Sequence, residues 1–250
     1  MEGNLILDHH IKLTKQSLQN IDIDEFTEEQ IIVGSIANDL CEFTNEGNIF
    51  FHGKDIIDNS FKSRKSIFYL TAIWPSHFGN LSSLHSMAKV IDEQAETTKN
   101  EIISWFEFLN GLSVGQILIK PNAEIGKDDV PISYLFKNQA IEYDQIFDTE
   151  DVIKIRSRAI GMMCHLIQDL FTRSHCERNK YNEISRFYCY HAQDKNKHRD
   201  SDYVNQEFEK KLISQCSNCI SCAVNKKYYD YNEILLLNNN VQPSGGGPFA

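Results

Sequence analysis

Histidine and aspartate recur along this chain at spacings that suit metal chelation, and nine histidines are available to do it. The densest stretch reads Gly161-Met-Met-Cys-His165-Leu-Ile-Gln-Asp169-Leu-Phe-Thr-Arg-Ser-His175-Cys-Glu-Arg-Asn179. His165 and Asp169 stand four apart, so on a helix both side chains leave one face a turn apart. That is the geometry in which an imidazole and a carboxylate hold one divalent ion. Met162, Met163, Leu166, Ile167 and Leu170 surround the pair with apolar bulk. A carboxylate in such company is costly unless it is paired or metal-bound. His175 follows six residues later, just past the expected helix end.

A second stretch, Tyr190-His191-Ala-Gln-Asp194-Lys-Asn-Lys-His198-Arg-Asp200-Ser-Asp202, repeats the theme. His198 and Asp202 have helical spacing, while His191 with Asp194 and His198 with Asp200 are competing pairs. One such pair is commonly a surface hydrogen bond. Two within about forty residues, with an extra histidine after the first, favour a metal centre. Upstream lie Asp8-His9-His10, then Asn38-Asp39, then Trp74-Pro-Ser-His77-Phe and His85. His77 and His85 each offer a ligand, and one of them can instead be a core histidine on a backbone carbonyl. His52 sits in a polar loop and reads as a bystander. Cys216, Cys219 and Cys222 form C-x-x-C-x-x-C without an obvious fourth ligand, so they read as reduced or locally paired thiols on a helix or loop.

The elements that must position these groups are helical. Apolar residues recur at three and four over 11–18, 28–43, 81–90, 97–112, 152–171 and 203–224. Thr27 reads as an N-cap with Gln30 as its capping-box partner. The acids of Asp148-Thr149-Glu150-Asp151 suit the positive end of the helix that follows. Residues 114–143, with two prolines and two glycines, read as a loop or irregular excursion between helices. One all-α, multi-helix domain over 1–237 and a flexible tail over 238–250 is the economical organisation.

An apolar fraction of 41% fits a packed globular chain. The net charge of −10 argues against duplex nucleic acid as a partner, although a phosphate ester held by bound cations remains compatible with it. No run approaches the roughly 18 to 20 apolar residues that span a bilayer. Residues 1–13 carry Glu2, Asp8, His9 and His10 and no apolar stretch of signal-peptide length. Secretion or delivery outside the cell by a non-Sec route, reading the C-terminal tail, is the expectation, with a cytoplasmic location or a chain shown in mature form as the alternatives.

The run from His165 to Asn179 reads H-x-x-x-D-L-x-x-x-x-H-x-x-x-N. It is similar to the signature of the bacterial zinc-dependent phospholipases C, which share a fold and a trimetal centre with the P1-type nucleases. Ser76-His77-Phe78 resembles the Ser-His-Phe segment of that family, and the match runs in order from His10 to Asp202. The resemblance implies two to three zinc ions. One is expected on Asp39, His77, His165 and Asp169; a second on His175, His198 and Asp202. A third would share Asp169 and take His10 with the N-terminal amine. Asp39 is the implied general base. Trp74 stands where the resembled phospholipases have an aromatic that helps enclose a choline headgroup, whose quaternary ammonium an aromatic face attracts. This chain departs from the pattern in three places. Arg173 stands for the usual proline, Asp202 for the usual glutamate, and Met1 where an N-terminal tryptophan closes the third site.

The chemistry implied is hydrolysis of a phosphodiester. Zinc neutralises the anion, aligns it and lowers the pKa of bound water towards 7, and a carboxylate orients that water or takes its proton. Ligating imidazoles need partners on their other nitrogen, and Gln168, Asn38 and Thr14 are candidates. Cys164 and Cys176 flank two ligands and are expected to point away from them. The expected reaction is phospholipase C cleavage at a membrane surface, releasing phosphocholine or a related headgroup and diacylglycerol. The rivals are a P1-like single-strand nuclease or 3′-nucleotidase and a non-catalytic helical effector with a degenerate site.

Overall fold

The computed structural model describes residues 5–43, 49–51, 77, 79–120, 124–125, 141–194, 197–198, 204 and 206–247. Helices dominate, in the all-α arrangement that the periodicity predicts: α1 (Leu5–Leu18), α2 (Glu25–Ala37), α3 (Ala95–Val114), α4 (Tyr143–Phe147), α5 (Val152–Asp169) and α6 (Gln206–Val224). Among the described residues the strands form three small antiparallel pairs: β1 (Cys41–Phe43) with β2 (Ile49–Phe51), β3 (Glu124–Ile125) with β4 (Ile141–Glu142), and β5 (Cys176–Arg178) with β6 (Ile184–Phe187).

Helix α5 is the centre of the molecule. It packs most extensively on α2 and also contacts α1, α3, α4 and α6. Ile155, Ala159, Met162, Met163, Leu166 and Ile167 are fully buried, as expected of a helix with apolar residues on several faces. The Asp151 carboxylate caps it, accepting from the Ile153 and Lys154 amides at 2.8 and 3.3 Å. Helices α2 and α5 cross almost backbone to backbone. A Cβ at Gly34 would strike the Arg158 carbonyl, and one at Gly161 would strike the Ile31 carbonyl and the Ser35 amide. Glycine is used here for close approach rather than for a turn. Beside the crossing, the buried Arg158 guanidinium donates to Gln30 Oε1 at 2.9 Å and to the carbonyls of Phe147 and Asp148. These acceptors stabilise a charge that would otherwise be expensive to bury, and they close the C-terminus of α4.

Several elements differ from the periodicity. The N-cap of α2 is Asp24, not Thr27; the Thr27 amide and hydroxyl donate to its carboxylate at 2.9 and 2.7 Å. The stronger acceptor three residues earlier takes the cap. The run 28–43 does not stay helical: the chain passes through a 3₁₀ turn (Asn38–Leu40) into β1. The Asn38 side chain there donates to the Leu84 carbonyl at 2.8 Å, tying the end of α2 to a distant segment. Residues 81–90 contain no α-helix. A 3₁₀ turn (Gly79–His85) ends at Ser86, whose φ of 53° is left-handed, and Ser86 Oγ donates to the Leu166 carbonyl at 3.1 Å.

Within the proline-bearing excursion, the described residues include the β3–β4 pair, and α4 begins with a capping box between Glu142 and Gln145. The β5–β6 hairpin was not anticipated. Its register sets Cys176 opposite Phe187 and Glu177 opposite Arg186. The expected flexible tail is laid along β6 as far as Gly247. Asn238 and Gln242 amides donate to the Ile184 and Ser185 carbonyls at 2.9 and 2.8 Å. Gly245 accepts from the Cys189 amide at 2.8 Å, and Ser244 is buried against Glu93. Carbonyls and amides at the edge of β6 and just beyond it recruit this segment.

Replacing Gly161 by alanine is expected to cost about 1–3 kcal/mol or more through overpacking at the α2–α5 crossing. Gly245→Ala, where the nearest atoms lie 3.8 Å from the new methyl group, should stay within about 0.5 kcal/mol of the parent. Equilibrium urea unfolding of both variants checks this, and equal stability of the two would refute the close-crossing account.

Candidate metal centre

Six histidines and two aspartates converge at the C-terminal end of α5, none more than 6% exposed: His10, His77, His85, His165, His175, His198, Asp39 and Asp169. They arrive from several places in the fold. His10 is on α1, Asp39 in the 3₁₀ turn after α2, and His85 at the end of the 3₁₀ turn that follows His77. His165 and Asp169 occupy the last two turns of α5. The helix stops there, and the chain doubles back through Thr172, whose amide and hydroxyl both donate to the Asp169 carbonyl at 3.0 Å. This reversal closes without proline, with Arg173 exposed, and returns His175 Nδ1 to 3.4 Å from Asp169 Oδ2.

Asp169 Oδ2 is the hub. His165 Nε2 lies 3.0 Å from it and His85 Nδ1 lies 3.2 Å from it, with 3.2 Å between those two nitrogens. The outer nitrogen of each ring faces a carbonyl: His165 Nδ1 the Ser35 oxygen at 2.9 Å, and His85 Nε2 the Asn38 oxygen at 3.2 Å. A carbonyl only accepts, so in each neutral ring the proton is on the outer nitrogen and the inner one presents a lone pair. Burial, and then the neighbouring imidazoles His77, His165 and His175, push the His85 pKa well below its usual value. Two bare nitrogens and a carboxylate oxygen therefore face one another in the interior. Three mutually repelling acceptors fit a cation between them, and a mixed imidazole and carboxylate set suits zinc.

His10 follows the same rule. Its Nδ1 lies 2.6 Å from Gln168 Oε1, and Gln168 Nε2 donates to Thr14 Oγ1 at 2.9 Å. His10 Nε2 is left facing Asp169 Oδ1 at 3.7 Å and Asp39 Oδ2 at 3.8 Å. His198 Nδ1 lies 2.7 Å from Gln193 Oε1, an amide oriented by donating to the Ser174 carbonyl at 2.7 Å. Of the outer partners expected from sequence, Gln168 meets the His10 ring and Asn38 meets the His85 ring through its backbone oxygen, while Thr14 meets Gln168 instead of a ring; Ser35 and Gln193 are partners that the sequence does not indicate.

Among the described residues, four groups bring their donor atoms within 4.8 Å of one another: His85 with His165 and Asp169; His10 with Asp39 and His165; Asp39 with His77 and His85; and His77 with His175 and His198. Of the first set expected from sequence, His165 and Asp169 lie with His85, and Asp39 and His77 also lie with His85, while His77 lies with His175 and His198 as well. Sequence offered no means of choosing, because both histidines belong to one short segment and only its 3₁₀ path decides which ring reaches α5. Trp74, Asp200, Asp202, His52 and Met1 lie outside the described residues.

The cysteines take no part in any of these groups. Cys176 Sγ donates to the Leu170 carbonyl at 3.0 Å, and Cys216 Sγ lies 3.8 Å from the Cys164 carbonyl across the α5–α6 interface. Burial pushes the Cys216 thiol well above its usual range, and a protonated thiol is a poor ligand. Among the described residues no helix is long and apolar enough to cross a membrane.

Searches of curated proteins and of solved structures each gave no match. The family model for zinc dependent phospholipase C matches residues 9–233, an interval that holds His10, Asp39, both expected metal-binding stretches, most of α1 and the whole of α2 to α6. With that match over most of the chain, and with buried histidine and aspartate clusters suited to zinc, this chain belongs to the zinc-dependent phospholipase C family.

Proposed function

We propose that the chain hydrolyses phospholipid diesters as a phospholipase C, releasing phosphocholine or a related headgroup and diacylglycerol. The observation that carries this reading is Asp169 Oδ2 held within 3.0–3.4 Å of three imidazole nitrogens, His165, His85 and His175, in the buried interior. His85, His165, Asp169 and Asp39 would hold one zinc ion. His175 and His198 belong to a second position, for which the family pattern supplies Asp202. His10 with Asp169 would serve a third, completed by the N-terminal amine. Zinc bound in this way supplies charge neutralisation for the phosphate and a water of lowered pKa.

The protein's own groups do the remainder. Outer-shell acceptors on Ser35, Asn38, Gln168 and Gln193 keep the inward nitrogens deprotonated and the rings in orientation. Asp39 is the proposed base, and its position in the cluster supports that role. Its Oδ1 lies 3.8 Å from His85 Nδ1 and its Oδ2 3.8 Å from His10 Nε2, so its carboxylate spans the cluster without belonging to α5. A base so placed contributes about 10²–10⁴-fold to such a step. Trp74 is the proposed face for a quaternary ammonium group.

Elemental analysis of the purified protein should find two to three zinc ions per chain, with phosphocholine released from phosphatidylcholine vesicles. His165→Ala should lower both together. Zinc with turnover of single-stranded DNA but not of lipid would replace this reading by the nuclease, and a chain without zinc would overturn it. Gln168→Leu, which removes only the outer partner of His10, should weaken zinc retention about 10–100-fold. Competition with a chromophoric chelator reads this directly, and wild-type retention would show that His10 stands outside the centre.

A further inference from the structure

Beside the reversal that joins Asp169 to His175 lies a cleft of about 400 Å³ whose wall contains no member of the metal centre. Three guanidinium groups line it: Arg173 from the reversal, Arg178 from the end of β5 and Arg186 from β6. We infer that this cleft is a second, non-catalytic site for a phosphate group, held by Arg173 and Arg186, with Leu170, Phe171 and Phe208 facing the apolar part of a phospholipid. The site stands apart from the phospholipase chemistry and does not depend on it.

Charge is the first reason. The chain carries a net charge of −10, so its field repels anions in general, and three arginines on one small wall reverse that locally. Glu177 and Glu207 also line the cleft, which leaves an excess of positive charge. Among the described residues no carboxylate forms an ion pair with any of the three arginines. Arg178 is committed to the fold. Its Nε, Nη1 and Nη2 donate to the carbonyls of Leu170, Asn182 and Ile234 at 2.7, 2.8 and 2.7 Å, and its guanidinium lies 4.5 Å from the Phe171 ring centroid. Carbonyls satisfy those donors without cancelling the charge. Arg186 is different: its Nε is closed off from solvent and has no acceptor, a state that calls for one. Arg173 is exposed, so its donors are open to a ligand. Paired guanidinium donors match the oxygens of a phosphate.

The hairpin sets these groups on one face. Glu177 stands opposite Arg186, and Tyr188, two residues on, shares that side of the strand. Burial first, then Glu177 and Cys176, push the Tyr188 phenol above its usual range, while Arg186 and Arg173 pull it back. Both guanidinium groups are thus within electrostatic reach of one hydroxyl, which stays neutral and keeps a proton to donate. The ring is held from behind by the C-terminal segment: at Gly247, with φ of 63°, an added methyl group would come within 2.5–2.7 Å of it.

The remaining wall is apolar. Phe208 enters from the first turn of α6 and meets Phe171 with centroids 6.2 Å apart, beside Leu170. A bare phosphate leaves these surfaces in water, whereas a lipid phosphate brings glycerol and acyl carbons to cover them. The juxtaposition of arginine donors and apolar wall therefore favours the lipid.

Calorimetric titration of the zinc-containing protein with dihexanoyl phosphatidic acid, below its micelle concentration, tests this; a phosphomonoester presents no diester to cleave. Zinc also attracts phosphate, so the decisive comparison is with Arg173→Gln, Arg186→Gln and the double variant, far-UV circular dichroism verifying folding. Arg178 is left intact because its carbonyl bonds hold the hairpin. One equivalent should weaken about 10–100-fold for each arginine removed. Phe208→Ala should weaken the lipid but not inorganic phosphate. Inorganic phosphate bound as tightly as the lipid, through the same arginines, would support the phosphate site with free phosphate as its source. Binding unchanged in the double variant would overturn the site and leave the ligand to the metal centre. Zinc content and phosphatidylcholine turnover of the double variant should equal those of the wild type, so failure of this site leaves the metal-centre reading standing. A chain without zinc that still binds the lipid through its arginines would do the converse.

Discussion

Asp169 is fully buried at the end of a helix that is itself enclosed by its neighbours, and an ionised carboxylate in such a place costs several kcal/mol unless opposite charge or donors meet it. The rest of the centre is arranged around that cost. Three imidazoles approach one of its oxygens and a fourth the other. Yet the outer nitrogen of His165, of His85 and of His10 is committed to an oxygen acceptor, so neutral rings bring lone pairs and no inward proton. Repulsion among these groups is relieved by a cation. The architecture therefore stores a demand for metal in its hydrogen-bonding pattern.

That pattern depends on how closely two helices approach. Gly34 and Gly161 allow α2 and α5 to cross with their backbones in near contact. Only at that separation do the carbonyls at the end of α2 come within reach of the rings: Ser35 for His165, and Asn38 for His85. Asn38 acts twice, since its side chain also holds the Leu84 carbonyl and so draws in the turn that carries His85. A methyl group at the crossing would separate the helices and relax every bond in this chain of contacts. The packing of the core and the orientation of the site are in this sense one constraint.

The helical periodicity located α3, α5 and α6 to within a few residues, and the C-terminal part of α1, because tertiary contacts there reinforce what the apolar spacing already favours. It failed where side-chain hydrogen bonds compete with the helix ladder. Asp24 displaced Thr27 as cap, Asn38 ended α2 early, and the serines around His85 tied their hydroxyls to carbonyls and kept the segment in a 3₁₀ turn. The hairpin of residues 176–187 and the path of residues 238–247 along it rest on partners far apart in sequence, which local patterning does not encode.

By itself the sequence determined the chemistry on offer: His165 and Asp169 a turn apart, His175 just beyond, and enough further imidazole and carboxylate for a zinc centre. Helical geometry makes such a pair inevitable once the helix forms, so four-residue spacing is legible without any tertiary information. The tertiary structure decided which remote histidine joins which group. His77 and His85 are equal candidates in the residues themselves, and only the folded path of the turn between them stacks one ring against the other, bringing His85 beside Asp169 and His77 beside His175 and His198, with Asp39 near both. Ligand identity at long range is a property of packing, because the position of each ring is set by contacts with elements that the local sequence does not contain.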